Sequence, residues 1–229
     1  MNIFFIECCA NSVQSAINGR LGGANRIELC QNLESGGLTP KIKEIRKALA
    51  ILNIPIRILI RPRIGSFIFS KEELSKMIRD INFCKGIGCE GVVVGALNDD
   101  RSINMEQTKK MVQAAKPMHI TFHRAFDEAN NIKKNLEDVI ACGCDTLLTS
   151  GQSNNIINGI SNLKNLIKLA NNRIQILAGS GVNHKNVGLL YKIGIRSFHL
   201  SGSKKTKNSI LETKSENIQK LITKLNTIV

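Results

Sequence analysis

The sequence has almost no large aromatic side chains. Tryptophan is absent, tyrosine occurs once, and aromatic residues make up 4% of the 229 residues. Its core must therefore be aliphatic, which is typical of a parallel β-sheet covered by helices on both faces. A chain of this length buries a sizeable core without disulfides or metal staples. The aromatic deficit also argues against a surface that stacks nucleic-acid bases.

No apolar run reaches the roughly 20 residues that a membrane-spanning helix needs. The apolar opening, residues 1–6, stops at Glu7 and lacks the basic start of a secretory signal. It is better explained as a first buried strand. We therefore expect a cytoplasmic protein with no membrane partner.

Cysteines lack the spacing of a disulfide framework or a zinc finger. Their number is seven, which is odd, and no Cys-x-x-Cys pair occurs. Disulfide-stapled domains usually carry even, dense sets in shorter chains. We therefore expect reduced thiols that are mostly buried.

Acidic residues are scarce relative to basic ones. The chain has 18 Asp and Glu against 32 Lys and Arg, and a net charge of +14. Such an excess is found in nucleic-acid-binding proteins. Here the lysines are scattered among many Asn and Ile residues, and the three share A/T-rich codons, so a genomic bias explains them at least as well. The one basic run, residues 203–207, is short, and we expect no nucleic-acid partner.

Short β-rich runs alternate with longer amphipathic stretches along the chain. Strands are predicted at residues 3–8, 26–30, 56–61, 91–94, 119–123, 146–149, 174–178 and 197–200. Helices are predicted at residues 13–21, 40–52, 71–84, 105–116, 132–142, 156–170, 185–193 and 212–225. Eight such repeats in this length are typical of the (β/α)₈ TIM barrel. The rival doubly wound sheet would need a glycine-rich fingerprint after its first strand. We predict one α/β domain over residues 1–229, a (β/α)₈ TIM barrel ending in a C-terminal helix.

Two helix starts carry capping signals. Ser70, followed three residues later by Glu73, predicts a capping box. Thr39 before Pro40 predicts an N-cap followed by proline in the first helical position. Both sites lie between a predicted strand and helix, where the barrel repeat requires a helix to begin.

Polar side chains collect near the ends of the predicted strands. In a barrel these C-terminal ends converge on one rim, which carries the catalytic groups. The set comprises Glu7, Glu28, Arg61, Arg63, His123, Arg124, Asp127, His199 and Ser201. A buried ion-pair layer that plugs the barrel is one explanation, because charges inside strands are costly unless paired. Charges of both signs at one rim favour a small-molecule pocket.

An enzyme built on this rim would act on a small anionic or phosphorylated metabolite, by isomerase, lyase or aldolase chemistry. Glu28 or His123 would be the general acid or base, and Asp127 would orient a partner. The other members would bind the substrate: Glu7, Arg61, Arg63, Arg124, His199 and Ser201. Gly179 and Gly181 follow the seventh strand, where barrels often bind phosphate. Tight turns are the alternative explanation for these glycines.

Cys9 and Cys30 follow adjacent predicted strands, so their sulfurs can approach each other across the rim. Two thiolates are soft ligands that suit Cu(I). The alternative is a pair of ordinary buried cysteines, since cysteine behaves as a small hydrophobic residue.

Several motifs resemble those of the CutC family, which is named for copper homeostasis. They lie at residues 26–30, 36–40, 61–67, 95–97, 121–127, 148–151 and 198–201. The run Thr-Phe-His-Arg-Ala-Phe-Asp at 121–127 is highly specific. The resemblance implies a cytoplasmic (β/α)₈ barrel that forms a homodimer or higher homo-oligomer. It also implies a role in copper handling, with Cu(I) bound by Cys9 and Cys30, which fall on the family's cysteine positions.

Three residues depart from the family pattern. Asn11 and Ser66 stand where aspartate is usual, and Ser180 stands in a loop that is usually all glycine. The loss of two rim carboxylates weakens a mechanism that needs acids there. A serine makes the glycine loop less permissive toward an anion.

Two hypotheses follow for the function. Copper capture requires the thiolates of Cys9 and Cys30 and tolerates the loss of His123. Catalysis on a small anionic metabolite requires His123, Glu28 or Arg61 and tolerates the loss of both cysteines. We adopt the copper-linked barrel as the first hypothesis and the enzyme as the alternative.

Overall fold

Eight parallel strands close into a barrel in chain order, in a computed structural model that describes residues 4–206 and 209–228. The strands are β1 (Phe5–Ala10), β2 (Arg26–Leu29), β3 (Ile56–Leu59), β4 (Gly91–Val94), β5 (His119–Phe122), β6 (Thr146–Thr149), β7 (Gln175–Ala178) and β8 (Ser197–Leu200). The predicted (β/α)₈ TIM barrel is confirmed. Ile3, at the predicted start of the first strand, and Lys207, in the basic run, lie outside the described residues.

Helices follow the strands and cover the outside of the barrel. They are α1 (Val13–Leu21), α2 (Ile42–Ile51), α3 (Lys71–Gly86), α4 (Met105–Ala115), α5 (Ala125–Glu128), α6 (Ile132–Ala141), α7 (Ile160–Ala170), α8 (Val187–Lys192) and α9 (Ser215–Asn226). A short 3₁₀ helix, Leu33–Ser35, follows β2. Over the described ranges, no helix is both long and apolar enough to span a bilayer.

Local sequence signals set the first residue of some helices, and tertiary contacts set it in others. The capping box of Ser70 and Glu73 is confirmed, with both reciprocal hydrogen bonds formed. The predicted N-cap at Thr39 is wrong, because its hydroxyl bonds the backbone of Arg61 and α2 begins at Ile42. Helix α7 begins four residues later than predicted, since the Ile156 N–H is bonded to the Ser180 carbonyl.

The C-terminal segment also differs from its prediction. Residues 211–213 form a strand instead of the start of the last helix, because they pair with residues of a preceding strand. The two strands, β9 (Ser203–Lys205) and β10 (Leu211–Thr213), are antiparallel. The Asn11 amide donates to the Leu211 carbonyl at 2.9 Å, and it holds this hairpin beside β1.

Alternate residues of the strands face two different environments. Ile6, Cys8 and Ala10 are buried in the large aliphatic core between the barrel and its helices. Cys9 belongs instead to a small interior cluster with Cys30, Leu59 and Val93. The period-two alternation thus places Glu7 and Cys9 together on the inner face of β1.

A buried polar layer occupies the barrel interior around Arg57, which is 1% exposed. Its guanidinium donates to the Glu90 carboxylate at 2.8 Å and to the Thr121 hydroxyl at 2.7 Å. On the neighbouring strand, Arg26 is paired with Glu7. Of the rim charges for which an ion-pair plug was one explanation, Glu7 is buried in such a pair with Arg26.

Candidate functional site

A cavity of about 730 Å³ opens at the C-terminal rim of the barrel. Its lining includes many of the predicted site residues: Cys9, Glu28, Arg61, His123, Arg124, Gly181, His199 and Ser201. Phe67, the last residue of the 61–67 motif, and Glu128 also line it, and neither was predicted as a site residue. Among the described residues, the lining does not include Glu7, Cys30, Arg63, Asp127 or Gly179.

Cys9 and Cys30 are brought together as predicted. Their sulfur atoms lie 3.9 Å apart, and both side chains are buried. The hydrogen bond to Cys30 and burial raise the pKa of the Cys9 thiol well above its ordinary value, and the charge of Glu28 adds to the effect. The Cys9 thiol is therefore protonated at neutral pH.

Cys9 also belongs to a second group, with Glu28 and His199. One ligand atom from each of the three residues lies within 4.8 Å of the others. The Cys9 thiol donates to Oε1 of Glu28 at 3.7 Å. Strand register explains the group, since Cys9 on β1 pairs with Glu28 on β2 and Glu7 pairs with His199 on β8. The residue types alone carry no signal for this grouping, which follows from the register.

Glu7 contacts this group through His199. Its Oε1 lies 2.7 Å from Nδ1 of His199, and its Oε2 accepts from Arg26. Burial alone would raise the pKa of Glu7, but the His199 hydrogen bond and the charge of Arg26 outweigh it and lower the value to about 2. Burial would lower the pKa of His199, but Glu28, Cys9 and Glu7 raise it well above its usual value.

Glu28 is a buried carboxyl group with an unused atom. Burial is the largest cause of its raised pKa, and the charge of Glu7 adds to it, against the opposing effect of His199. Its Oε2 has no hydrogen-bond partner in the described part of the chain. The side chain therefore offers a proton or an oxygen ligand to whatever occupies the cavity.

His123 is held as a neutral imidazole on the cavity wall. Burial and the charge of Arg61 lower its pKa to about 3. Its Nδ1 accepts the Ala125 N–H at 3.2 Å, so Nε2 carries the proton and has no partner within the described ranges. The ring is tightly packed on two sides. Its centroid lies 4.8 Å from that of the Phe67 ring, and a Cβ on Gly95 would lie 2.6 Å from its nearest ring atoms.

The two arginines after β3 hold loops together. Arg61 donates to the carbonyls of Ser35, Gly37 and Gly65. Only its Nε is unpartnered within residues 4–206 and 209–228. Arg63 is paired with Glu73 and donates to the Ser66 carbonyl. Arg61 and Arg124 line the cavity, and Arg63 does not.

Asp127 organises the loop after β6. Its carboxylate accepts from the N–H groups of Ser150 and Gln152 and from the Thr149 hydroxyl. It also pairs with Arg124 at 2.8 Å. Both carboxylate oxygens of Asp127 are thus engaged, and one of them pairs with the Arg124 guanidinium.

The glycine loop after β7 contains one strained residue. Ser180 has a φ of +75°, in the left-handed region that favours glycine. A Cβ on Gly179 would lie 2.6 Å from Cδ1 of Leu148, so a larger residue there would require that side chain to shift. Gly181 has open space around it and faces the cavity.

Comparison with known proteins agrees with this geometry. The CutC family model matches residues 4–204. A CutC family protein of Pasteurella multocida is 41% identical over 198 residues, which cover 86% of this chain and 81% of the relative. One of Bacteroides fragilis is also 41% identical, over 218 residues that cover 94% of this chain and 86% of the relative.

Solved structures extend the likeness to three dimensions. The CutC protein of Streptococcus agalactiae has a TM-score of 0.82 at 31% identity, covering 86% of this chain and 98% of that one. A thiamine phosphate pyrophosphorylase of Pyrococcus furiosus has a TM-score of 0.66 at 12% identity, covering 100% of this chain and 98% of that one. The second match shows the barrel fold alone. By family model, sequence identity and structure, the chain belongs to the CutC family.

Proposed function

We propose that this chain handles copper in the cytoplasm and binds Cu(I) through the thiols of Cys9 and Cys30. The observation that carries the proposal is the 3.9 Å separation of the two sulfur atoms. Two metal–sulfur bonds of about 2.3 Å span roughly 3.8–4.0 Å at a tetrahedral or trigonal angle. The pair therefore needs little movement to share one ion.

The chemistry of the pair supports the same ion. Thiolates are soft ligands, which suit Cu(I). Cys9 lines the cavity and provides a route for the ion, while Cys30 lies behind it in the apolar interior cluster. A role in copper homeostasis is ascribed to the CutC protein of Streptococcus agalactiae.

Competition with a Cu(I) chelator tests this proposal. The reduced wild-type protein should take one Cu(I) per chain, and the double variant Cys9→Ser, Cys30→Ser should lose at least 100-fold in affinity. Cys142→Ser is a matched control, since Cys142 is another buried free thiol outside the cavity lining. Unchanged affinity in the double variant would rule out the site.

A second function is supported by different atoms of the same cavity. The unpartnered Oε2 of Glu28 and Nε2 of His123 would serve acid–base chemistry on a small anionic or phosphorylated metabolite. Arg124, oriented by Asp127, would bind the anionic group. Isomerase, lyase and aldolase reactions include proton-transfer steps that such a pair would serve.

Thermal stability in the presence of phosphate and sugar phosphates tests the second function. Binding should raise the midpoint of unfolding of the wild type, and Arg124→Gln should abolish the increase. The exposed Arg173 provides a control variant, Arg173→Gln, that should keep it. No increase with any of these ligands contradicts the proposal.

We also propose, from the family resemblance, that the chain forms a homodimer or a higher homo-oligomer. Sedimentation equilibrium measures the mass directly. A mass of one chain across the accessible concentration range contradicts this proposal.

A further inference from the structure

We infer that Cys9, Glu28 and His199 form a second metal-binding mode that takes a divalent cation of the zinc type and leaves one coordination position open to the cavity. Cys9, Glu28 and His199 are 5%, 4% and 9% exposed, respectively. This mode shares Cys9 with the proposed copper pair, but it needs neither Cys30 nor copper.

The distances between donor atoms suit a tetrahedral ion. The Cys9 sulfur lies 3.7 Å from Oε1 of Glu28. Bonds of about 2.3 Å to sulfur and 2.1 Å to oxygen at a tetrahedral angle would separate the two atoms by about 3.6 Å. A ring nitrogen of His199 lies within 4.8 Å of both, so a small side-chain rotation completes the set.

The surroundings of His199 are those of a metal ligand. Its Nδ1 lies 2.7 Å from Oε1 of Glu7, so Nε2 is the ring nitrogen that would bind an ion. Ligating histidines almost always pair their second nitrogen with a carboxylate or carbonyl, which fixes the ring. Glu7 is fixed in turn by Arg26, so the support for the ligand is already in place.

Glu28 gives an independent sign that a ligand is expected. It is 4% exposed, and its Oε2 is unpartnered in the described ranges. An unpaired buried polar atom is costly, and a buried charge without a partner is more so. A cation bound by the carboxylate removes both costs.

Charge balance separates the two metal-binding modes. Binding of a divalent ion releases the thiol proton of Cys9 and the imidazolium proton of His199 to solvent. The ion is then neutralised by one thiolate and one carboxylate, from Glu28, with a neutral imidazole as third ligand. A Cu(I) ion held by two thiolates already has one excess negative charge, and Glu28 beside it would add another. The mixed sulfur, oxygen and nitrogen set is also a common choice for Zn²⁺.

The fourth position determines what the ion can do. Metal sites with three protein ligands keep a position for water or substrate, and the ion there polarises an oxygen atom. All three ligands line the cavity, as does Arg124. The open position thus fits an oxygen donor of a small anion, such as a carboxylate or phosphate.

Cobalt and zinc titrations of the metal-free, reduced protein test the inference. Co²⁺ should bind one per chain with a cobalt–thiolate charge-transfer band, and Zn²⁺ should displace it. Glu28→Gln and His199→Gln should each weaken Zn²⁺ binding at least 100-fold, and Cys30→Ser should change it less than threefold. The reverse pattern is expected for Cu(I), where Cys30→Ser loses binding and Glu28→Gln keeps it.

The outcomes keep the two metal proposals apart. Absence of the charge-transfer band in wild-type protein overturns the inference, whether or not the variants fold. Wild-type Zn²⁺ affinity in folded Glu28→Gln and His199→Gln overturns it as well. Retained Cu(I) affinity in Cys30→Ser contradicts the copper pair alone and leaves the divalent site standing.

Discussion

Glu7 on β1 and His199 on β8 lie opposite each other where the barrel closes, with Oε1 of Glu7 2.7 Å from Nδ1 of His199. The other oxygen of Glu7 pairs with Arg26 on β2. One fully buried carboxylate therefore joins three strands through two basic partners. We call this β1–β8 junction the seam of the barrel. Its stability depends on that single negative charge.

Glu7→Gln should lower the free energy of unfolding by about 3–5 kcal/mol, because it leaves buried basic partners without a counter-charge. Urea denaturation at neutral pH measures the loss. The exposed pair of Arg173 and Glu137 provides the control. Glu137→Gln should cost less than about 1 kcal/mol, as is usual for surface ion pairs. Equal losses in the two variants would contradict this account of the seam.

Asp127→Asn should destabilise the loop after β6 by about 2–4 kcal/mol, because hydrogen bonds to a charged acceptor contribute about 1.5–3 kcal/mol each. The backbone N–H groups of Ser150 and Gln152 would then face an amide in place of a carboxylate. Chemical denaturation measures the change. Glu106→Gln, at an exposed helix pair, is the control and should have little effect. A change below 0.5 kcal/mol, on the scale of ordinary surface substitutions, would show that the loop does not need the charge.

His123 should make the protein less stable in mild acid. Its pKa in the folded protein is about 3 instead of 6.5, so the unfolded chain binds the proton first as pH falls. The stability is complete above about pH 6.5 and is lost toward pH 3, with roughly 2–3 kcal/mol gone at pH 4.5. Unfolding free energies from pH 4 to 8 should show this dependence in wild type and not in His123→Gln.

His184→Gln provides the control for that series, since His184 also lines the cavity but is only half-buried. It should follow the wild-type pH dependence. If His123→Gln loses stability in parallel with the wild type, another group causes the acid sensitivity.

Ser180→Gly should stabilise the protein slightly. A left-handed backbone costs a residue with a side chain about 1–2 kcal/mol, and glycine avoids this cost. Glycine also has more conformational freedom in the unfolded chain, which offsets about 0.5–1 kcal/mol of the stabilisation. We expect a net increase of about 0.5–1 kcal/mol by thermal or chemical denaturation. Ser66 does not have a positive φ, so Ser66→Gly should not stabilise. A loss of stability in Ser180→Gly would show that the bond from its hydroxyl to the Asn154 carbonyl outweighs the strain.

The barrel fold and the identity of the residues at its C-terminal rim could be predicted from sequence, because both depend on local patterns. Alternating β-rich and amphipathic runs fix the strand order, and the ends of parallel strands meet at one rim. Cys9, Glu28 and His123 were found in this way. The nearness of Cys9 to Cys30 also follows, since they belong to neighbouring strands.

What each rim residue contacts could not be predicted, because it depends on register and loop conformation. From sequence, Arg61 was predicted to bind the substrate. In the structure its guanidinium donates hydrogen bonds to three backbone carbonyls. Grouping Cys9 with His199 requires knowing that β1 pairs with β8. Strand β10 was not predicted, because a strand of three residues shows no periodic pattern. It forms by pairing with the neighbouring segment, β9.

The seam of the barrel has a consequence for how the chain folds. Glu7 and His199 are separated by 192 positions, so one edge of β1 stays unpaired during synthesis until almost the whole chain has emerged. An open strand edge can pair with other chains, and slow long-range pairing prolongs that exposure. Cys8 and Cys9 lie on this strand, and both are buried in the closed barrel. Oxidation of these two cysteines in the cell would therefore report on barrels that have not yet closed.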